Sequence, residues 1–593
     1  MQRSPSSSSS RLRGALRMLS LRGVFRMRPV ADTWYQSALC ALLAIGGPEL
    51  VLLATGRVQL AFYTSAGGLC ALYGHGMPYV ARARTLAWVV LGMFAGTAVA
   101  LTASALIASA ASRVLVIAVL AGLYKLVCDA SRMGPPGNII FTFVVSSAAF
   151  IPQRVEQLPG HLALVFAGGV LAWCVCMAPA LVRPHGPQRL AVARALEATA
   201  RLLRIPAGDA GIPRARHEAA VAVQAAWNAL DRVPASSRTA APRTALSGLL
   251  ARAETLAATT RPTEAAARLY PSDATSLVTS PDAGAAQRPS GPSPSRSVLD
   301  AEALDHYARM LRRGRVVPRI RCAAAEEAEV RGVALGHVDA VRGAGLRRVL
   351  RAFRPGAPGL PLAARVTLGA ALAGWISLAL GVNRPYWAVM TAAVLIVANT
   401  ALSWQRTVQR VLGNLVGVGL FTAVAPWAHS AVALVAMALV CQVIVEATIS
   451  RNYWVASVFI TPMALAMVEF ATPFPASELG LDRWLDTCVG AVVAVLICFV
   501  IPNRRVADRV TAALHDLDAA IDRARRAVES GTASRADRAR LAAALIEVRS
   551  CADTAAGEWW SGPLPDERIV AAERAGHQLL DRLPVRAMAA VPG

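Results

Sequence analysis

The sequence lacks the motifs that most enzymes use for chemistry. Lys125 is its only lysine, and it is followed by leucine, whereas a P-loop places serine or threonine after its lysine. The chain contains no HExxH motif, no GxSxG motif and no histidine cluster with metal-ligand spacing. We therefore expect no enzymatic activity, no metal site and no cofactor.

Charged residues and paired cysteines are also scarce. Charged residues make up 17% of the chain, against about 25% in ordinary globular domains. The net charge of +24 lies mostly in the two terminal segments and the central segment, beside apolar runs, as the positive-inside rule predicts. Nucleic acid is therefore not expected as a partner. The ten cysteines include no CxxC pair, which argues against a disulfide framework or a zinc site.

Long apolar runs are abundant. Hydrophobic residues form 55% of the chain, and a membrane-spanning helix needs about 20 such residues in a row. The candidate spans lie near 33–47, 58–74, 85–108, 112–130, 137–152, 161–182, 362–381, 385–402, 407–425, 431–449, 452–470 and 482–502. The predicted fold class is an all-α polytopic membrane protein with about twelve transmembrane helices.

The spans divide the chain into five predicted segments. These are a basic N-terminal tail (1–32), a first six-helix block (33–182), a helical segment with a disordered Pro- and Ser-rich loop near 262–297 (183–361), a second six-helix block (362–502) and a helical C-terminal segment (503–593). The basic tail suits a helix lying on the membrane surface, or an upstream start codon that was wrongly assigned. The positive-inside rule places both termini and the central segment in the cytoplasm.

Several motifs recur in the two membrane blocks. Gly92-x-x-x-Gly96 in the first block matches Gly413-x-x-x-Gly417 in the second. Such glycines let helices approach closely, so we expect a packing role for all four. Because each block has six predicted spans, the two blocks share one orientation and form a parallel repeat.

Two acidic residues are candidates for proton transfer. Asp129 and Glu446 lie near the inner ends of the fourth and tenth predicted spans. A carboxyl buried in a membrane protein can exchange a proton during each transport cycle. The alternative is an acid that reaches to water at a helix end, with Asp129 paired to Arg132 three residues later.

Several basic and polar residues are candidates for binding an anionic substrate, because a guanidinium group binds carboxylates through two hydrogen bonds. They are Arg84, Arg132, Arg410, Arg451 and Asn452. The alternative role is ordinary anchoring at the cytoplasmic face. The sequence Gly134-Pro135-Pro136-Gly137-Asn138 suits either a broken helix that faces an anion or a proline that simply begins the fifth span.

An ordered set of motifs resembles the fusaric acid resistance (FUSC) family within the aromatic acid exporter superfamily. The set is Tyr386-Trp387-Ala-Val-Met-Thr391, Arg410-Val-Leu-Gly413-x-x-x-Gly417, Asn452-Tyr453 through Thr461-Pro462, and Cys128-Asp129-x-x-Arg132-x-Gly134-Pro135-Pro136-Gly137. The resemblance covers both membrane blocks, about half of the chain. Asn414 departs from the family, since relatives commonly have threonine there.

The resemblance implies a multi-pass plasma-membrane protein that exports aromatic or other weak organic acids, with the proton-motive force as the usual inferred energy source. The expected partners are the organic-acid substrate and the lipid bilayer. Some Gram-negative relatives use a periplasmic adaptor, and the family also resembles plant organic-anion channels. A passive anion channel and a non-transporting scaffold remain alternatives, and a homo-oligomer remains open.

Overall fold

The computed structural model describes residues 24–27, 29, 32–206, 209, 211–232, 237–259, 294–313, 317, 345–397, 399–427, 430–471, 476–501, 505–558 and 565–583. Every regular element in these ranges is helical, which confirms the all-α prediction. Residues 262–293 of the predicted disordered loop, and residues 1–23 of the basic tail, lie outside the described residues.

The first membrane block consists of mostly apolar helices. They are α1 (Trp34–Ala54), α2 (Val58–Leu72), α3 (Tyr79–Leu106), α4 (Ala110–Ala130), α5 (Ile139–Ala148) and α6 (Val155–Val182). Large apolar side chains remain exposed along their outer faces, among them Leu43, Trp88 and Leu106. Such a surface suits lipid rather than water.

The central segment forms a separate helical core. Its helices are α7 (Gly186–Arg204), α8 (Ile212–Asp231), α9 (Ser237–Thr259), α10 (Pro294–Arg313) and α11 (Gly345–Ala352). Leu196, Trp227, Leu249 and Leu304 pack together in the core that α7 to α10 enclose. Four helices that bury one apolar face each make a stable unit outside the membrane blocks.

The second membrane block and the C-terminal segment follow. The block contains α12 (Leu360–Ala379), α13 (Tyr386–Leu395), α14 (Thr400–Trp427), α15 (Ala431–Thr448), α16 (Tyr453–Ala471) and α17 (Ala476–Val500). The C-terminal helices are α18 (Arg505–Glu529), α19 (Arg535–Ala556) and α20 (Asp566–Arg582). Their amphipathic faces share a core that includes Leu517, Leu541 and Ile569.

Among the described residues, eight helices are long and apolar enough to cross a bilayer. They are α1, α3, α4, α6, α12, α14, α15 and α17. The apolar parts of α2, α5, α13 and α16 are shorter, and ten residues, as in α5 and α13, extend only about 15 Å. The chain is thus a multi-pass membrane protein, while a full set of twelve spans is not confirmed.

Contacts between the two blocks come in matched pairs. Helix α4 packs against α12, and α1 packs against α15, so the fourth helix of each block meets the first of the other. The fifth helix of each block likewise meets the second of the other, as α5 packs on α13 and α16 packs on α2. The short apolar helices are the second and the fifth in both blocks.

The motif glycines lie at helix contacts of unequal closeness. A Cβ on Gly96 would lie 1.6 Å from Tyr124 Oη, and on Gly417 it would lie 2.5 Å from the Val458 carbonyl oxygen. On Gly413 it would lie 2.6 Å from the Trp454 carbonyl oxygen, whereas Gly92 has only an ordinary 3.4 Å contact. Three of these positions therefore exclude any side chain.

The C-terminal segment docks on the start of α14. The Ala401 N–H donates to the Gly557 carbonyl at 3.0 Å, and the Thr400 hydroxyl donates to Glu558 at 2.9 Å. Glu558 also lies 3.7 Å from the buried guanidinium of Arg365 on α12. The C-terminal segment therefore contacts a buried charged residue, Arg365, inside the second block.

Candidate anion site

Arg483 is the most completely buried arginine of the second block, with 0% of its surface exposed. The predicted span begins at 482, which puts Arg483 at its very edge, but the helix begins six residues earlier and Arg483 lies in the second turn of α17. The preceding Asp482 pairs with Arg384 at 3.2 Å, which allows a charged turn to remain helical. This pairing joins residues far apart in sequence, so the apolar pattern alone gave no sign of it.

The guanidinium of Arg483 has no hydrogen-bond partner at Nε, Nη1 or Nη2 among the described residues. It lies 3.8 Å from the centre of the Trp387 ring, and this cation–π contact offsets part of its desolvation. Asp486 is the nearby carboxylate. Its Oδ1 accepts from Ser377, and its Oδ2 has no partner.

A second buried guanidinium belongs to Arg410 on α14, which is 3% exposed. Its Nη1 donates to Tyr453 Oη at 3.1 Å, and its Nη2 has no partner among the described residues. Arg410 and Arg483 repel each other electrostatically. At 1.5 Å per residue, Arg410 lies about 15 Å along α14, roughly half the thickness of a bilayer core.

Asn414, one turn after Arg410, holds three helices together around these arginines. Its Nδ2 donates to Thr487 on α17 at 2.8 Å, and its Oδ1 accepts from Thr461 on α16 at 2.9 Å. A threonine at this position could not supply two amide donors and an amide acceptor at once. The departure from the family pattern therefore has a structural role here.

Aromatic rings from both blocks lie beside the arginines. Trp387 and Tyr386 are adjacent on α13, with ring centres 4.9 Å apart. The ring of Phe143 on α5 lies 6.0 Å from that of Trp387, and the ring of Phe150, two residues after α5, lies 5.6 Å from that of Tyr386. The site therefore combines cationic donors with apolar, flat surfaces.

The charges at this site favour an anion. Two guanidinium groups lie near one carboxylate, and four of their nitrogens have no hydrogen-bond partner in the described part of the chain. A bound carboxylate would accept from these donors and would neutralise the remaining charge. Within the part of the chain that the structure describes, no group of three or more His, Cys, Asp or Glu residues could hold a metal ion.

The second membrane block matches a known protein family. Residues 372–497 match the protein family described as "Fusaric acid resistance protein-like". The second block carries a FUSC-like domain. This match confirms the predicted resemblance for the second block, and it includes Trp387, Arg410, Asn414, Arg483 and Asp486.

One relative resembles nearly the whole chain. It is described as the uncharacterized membrane protein YvaC of Bacillus subtilis (strain 168), and it is 23% identical over 548 residues. The similarity covers 91% of this chain and 83% of YvaC. No solved structure matches the chain.

Two other predicted anion-binding residues of the FUSC-like domain lie in the turn between α15 and α16. Asn452 is buried, and its Nδ2 donates to the carbonyls of Val24 and Arg26 at 2.9 and 3.2 Å. Its donors are thus used to hold the segment that precedes α1. Arg451 is half-buried, and its Nε has no partner among the described residues.

The candidates of the first block lie elsewhere. Asp129 is exposed and pairs with Lys125 at 3.1 Å, so it is neither buried nor paired with Arg132 as we had considered. Arg132 and Arg84 are also exposed. The buried arginine of this region is Arg82, which lies 3.0 Å from His75 Nδ1. None of the three predicted residues reaches the Arg410–Arg483 pair.

The remaining candidates have defined surroundings. Glu446 is half-buried on α15, and its Oε1 accepts from Gln442 at 3.2 Å. In the Gly134–Asn138 stretch, the Gly137 carbonyl accepts from Tyr73 Oη at 2.8 Å, and Asn138 immediately precedes α5. This placement fits a helix start.

Proposed function

We propose that the protein is a plasma-membrane transporter that exports aromatic or other weak organic acids, driven by the proton-motive force. The observation that carries this proposal is Arg483, a fully buried guanidinium that lies over Trp387 and whose three nitrogens have no hydrogen-bond partner among the residues that the structure describes. A charge buried in this way is expensive in stability, and sites that retain such a charge are commonly functional.

The proposed binding mode follows from the geometry of the site. The substrate carboxylate lies between Arg410 and Arg483, and its apolar body lies against Tyr386 and Trp387. Protonation neutralises a carboxylate substrate and weakens its attraction to both guanidinium groups. An inside-negative potential also drives the anion outward, by about 2.3 kcal/mol per charge per 100 mV.

The proposed membrane organisation is a pair of parallel six-helix repeats with both termini in the cytoplasm. The matched short helices and the reciprocal contacts between blocks support the repeat. The arginine-rich ends support the orientation. Glu446, near the inner end of α15, is the proton-relay candidate that we retain, because Asp129 is exposed and paired.

The test is uptake of labelled benzoate into inverted vesicles, with and without an imposed pH gradient at clamped voltage. We expect accumulation that needs the gradient, and we expect Arg483→Gln to abolish saturable uptake. Arg84→Gln is the matched control, because Arg84 is exposed on α3, a helix that contributes no residue to the site, and it should retain uptake. Glu446→Gln should lose the accumulation of benzoate that the pH gradient drives.

Two results would contradict this function. Flux that follows voltage alone would identify a passive anion channel. An absence of flux for a broad panel of organic acids, with correctly folded protein in the vesicles, would refute transport and favour a scaffold.

A further inference from the structure

The first block contains a buried acidic residue, Glu49, whose burial the apolar pattern did not predict. Glu49 is the only acidic residue between Asp32 and Asp129. Its predicted place was the loop after a span at 33–47, but it lies inside α1 with 1% of its surface exposed. An ionisable residue at such a place in a membrane helix is a candidate functional residue.

Helix α1 is irregular just before this residue. Residues Leu42–Gly46 form a π-helical turn, and Pro48 follows within the first turn of the next α-helical part. Proline has no N–H to donate to the carbonyl four residues earlier, which here belongs to Ala44. That carbonyl lies against Gly68 of α2, where a Cβ would come within 2.7 Å of it. Turns of this kind are frequent at functional sites.

The Glu49 carboxyl is only half satisfied. Its Oε1 accepts from Ser65 Oγ on α2 at 2.7 Å, and Ser65 is itself fully buried. Its Oε2 has no hydrogen-bond partner among the described residues. A charged carboxylate in this position lacks a cation, whereas a neutral carboxyl needs none.

No charged group compensates Glu49 from the helices around it. The titratable groups on the helices packed against α1 are Tyr63 and Cys70 on α2, Glu156, His161, Cys174 and Cys176 on α6, and Cys441 and Glu446 on α15; Tyr35 and Cys40 lie on α1, and Arg57 follows it. Among the described residues, none of these forms an ion pair or a hydrogen bond with Glu49.

Helix α1, which carries Glu49, packs against α15, which carries Glu446, along a seam between the two blocks. Gly46 lets Leu439 of α15 approach α1, since a Cβ there would lie 2.8 Å from Leu439 Cδ2. Glu446 lies near Cys40 of α1 at the other end of the seam. Nine residues separate Cys40 from Glu49, or ~13 Å along the helix.

We propose that Glu49 is a proton-binding carboxyl that takes up the coupling proton at the outer end of the α1–α15 seam. The proposal rests on the transport function above and adds a residue to it. Glu49 lies five residues from the end of α1, the end that the predicted orientation places outside. Glu446 lies at the opposite, inner end, where the proton leaves.

The test uses a carbodiimide on the intact wild-type protein. The apolar reagent dicyclohexylcarbodiimide adds the O–H of a protonated carboxyl across its C=N bond, and rearrangement leaves a stable N-acylurea that mass spectrometry detects. We expect modification of Glu49 that declines as the pH is raised, and none in Glu49→Gln. The exposed Asp129 is the internal control, and it should react with a water-soluble carbodiimide instead.

Two results of this measurement would overturn the proposal. Glu49 that stays unmodified at every pH would not bind a proton, and Glu49 modified equally up to strongly alkaline pH would never release one. Neither result depends on transport activity, so a failure of the proposed function is seen separately, as absent benzoate uptake by the wild type.

A transport readout completes the test. Glu49→Gln should lose accumulation driven by the pH gradient but keep exchange of labelled for unlabelled benzoate, since exchange needs no net proton movement. Wild-type protein modified by dicyclohexylcarbodiimide should behave in the same way, which covers the case in which the variant does not fold. Gradient-driven accumulation at the wild-type level in Glu49→Gln would overturn the inference and leave the function intact.

Discussion

Replacing Arg483 with methionine should stabilise the protein and abolish anion binding. Arg483 is fully buried, and no guanidinium nitrogen has a hydrogen-bond partner among the described residues. Desolvating an unpaired ion costs several kcal/mol, and the Trp387 contact returns about 2 kcal/mol of this. The substitution also relieves repulsion from Arg410.

The expected net gain is about 1–3 kcal/mol in the free energy of unfolding, because Asp486 loses its nearby cation but keeps the bond from Ser377. That gain corresponds to a rise of a few degrees in melting temperature. The matched control is Arg384→Met, which removes a partly buried ion pair with Asp482 and should lower the melting temperature.

The assay is thermal unfolding of purified protein in detergent, with and without benzoate. Wild type should be stabilised by saturating benzoate, since a ligand that binds only the folded state raises its stability. Arg483→Met should melt higher without benzoate and show no shift with it. A melting temperature that falls as in Arg384→Met, together with a retained benzoate shift, would show that Arg483 is structural.

Two further predictions concern packing and pH. Gly96→Ala should cost about 2–4 kcal/mol, because the new Cβ would lie 1.6 Å from Tyr124 Oη and would break its bond to the Gly92 carbonyl. Gly92→Ala is the control and should change the melting temperature little, since its Cβ makes an ordinary 3.4 Å contact; equal effects would contradict this packing. Burial raises the pKa of Glu558 above its ordinary value of 4.5, although Arg365 opposes the rise. Glu558 therefore binds more protons when the C-terminal segment is docked on α14 than when it is not. Because of this difference, docking of the segment should strengthen as the pH falls from the raised pKa toward 4.5 and weaken as the pH rises. Thermal unfolding across this range should show the trend, and Glu558→Gln should remove it.

The sequence predicted the helical class and the FUSC resemblance because both depend on local patterns. Apolar runs of about 20 residues have few stable forms in a membrane other than helices. The ordered motifs around Arg410 and Asn452 were likewise visible in the sequence. The family match over residues 372–497 confirms that reading.

The residues that matter most to both proposals were missed for one shared reason. Apolar patterning ended the first predicted span at 47, which placed Glu49 in a loop, and it began the last span at 482, which placed Arg483 at the edge of a span with no sign of its burial. Arg483 follows Asp482, whose partner Arg384 is about a hundred residues away, and Glu49 follows Pro48. The Asp482–Arg384 pair and the π-helical turn of α1 accompany these two buried charges, and the apolar pattern shows neither of them.

The two proposed sites lie on different helices, so any coupling between them must pass through the packing of the second block. Helix α16 packs against α15, which carries Glu446, and also against α14, which carries Arg410. Pro462 lies inside α16 and removes one backbone donor, directly after Thr461, whose hydroxyl bonds Asn414 beside the arginines. The Thr461–Asn414 bond joins α16 to the Asn414 network, and this network reaches the α17 backbone at Arg483 through Thr487 and the Arg483 carbonyl. We therefore expect any effect of protonation at Glu446 on the anion site to pass along this chain of contacts rather than directly from the proton to the anion.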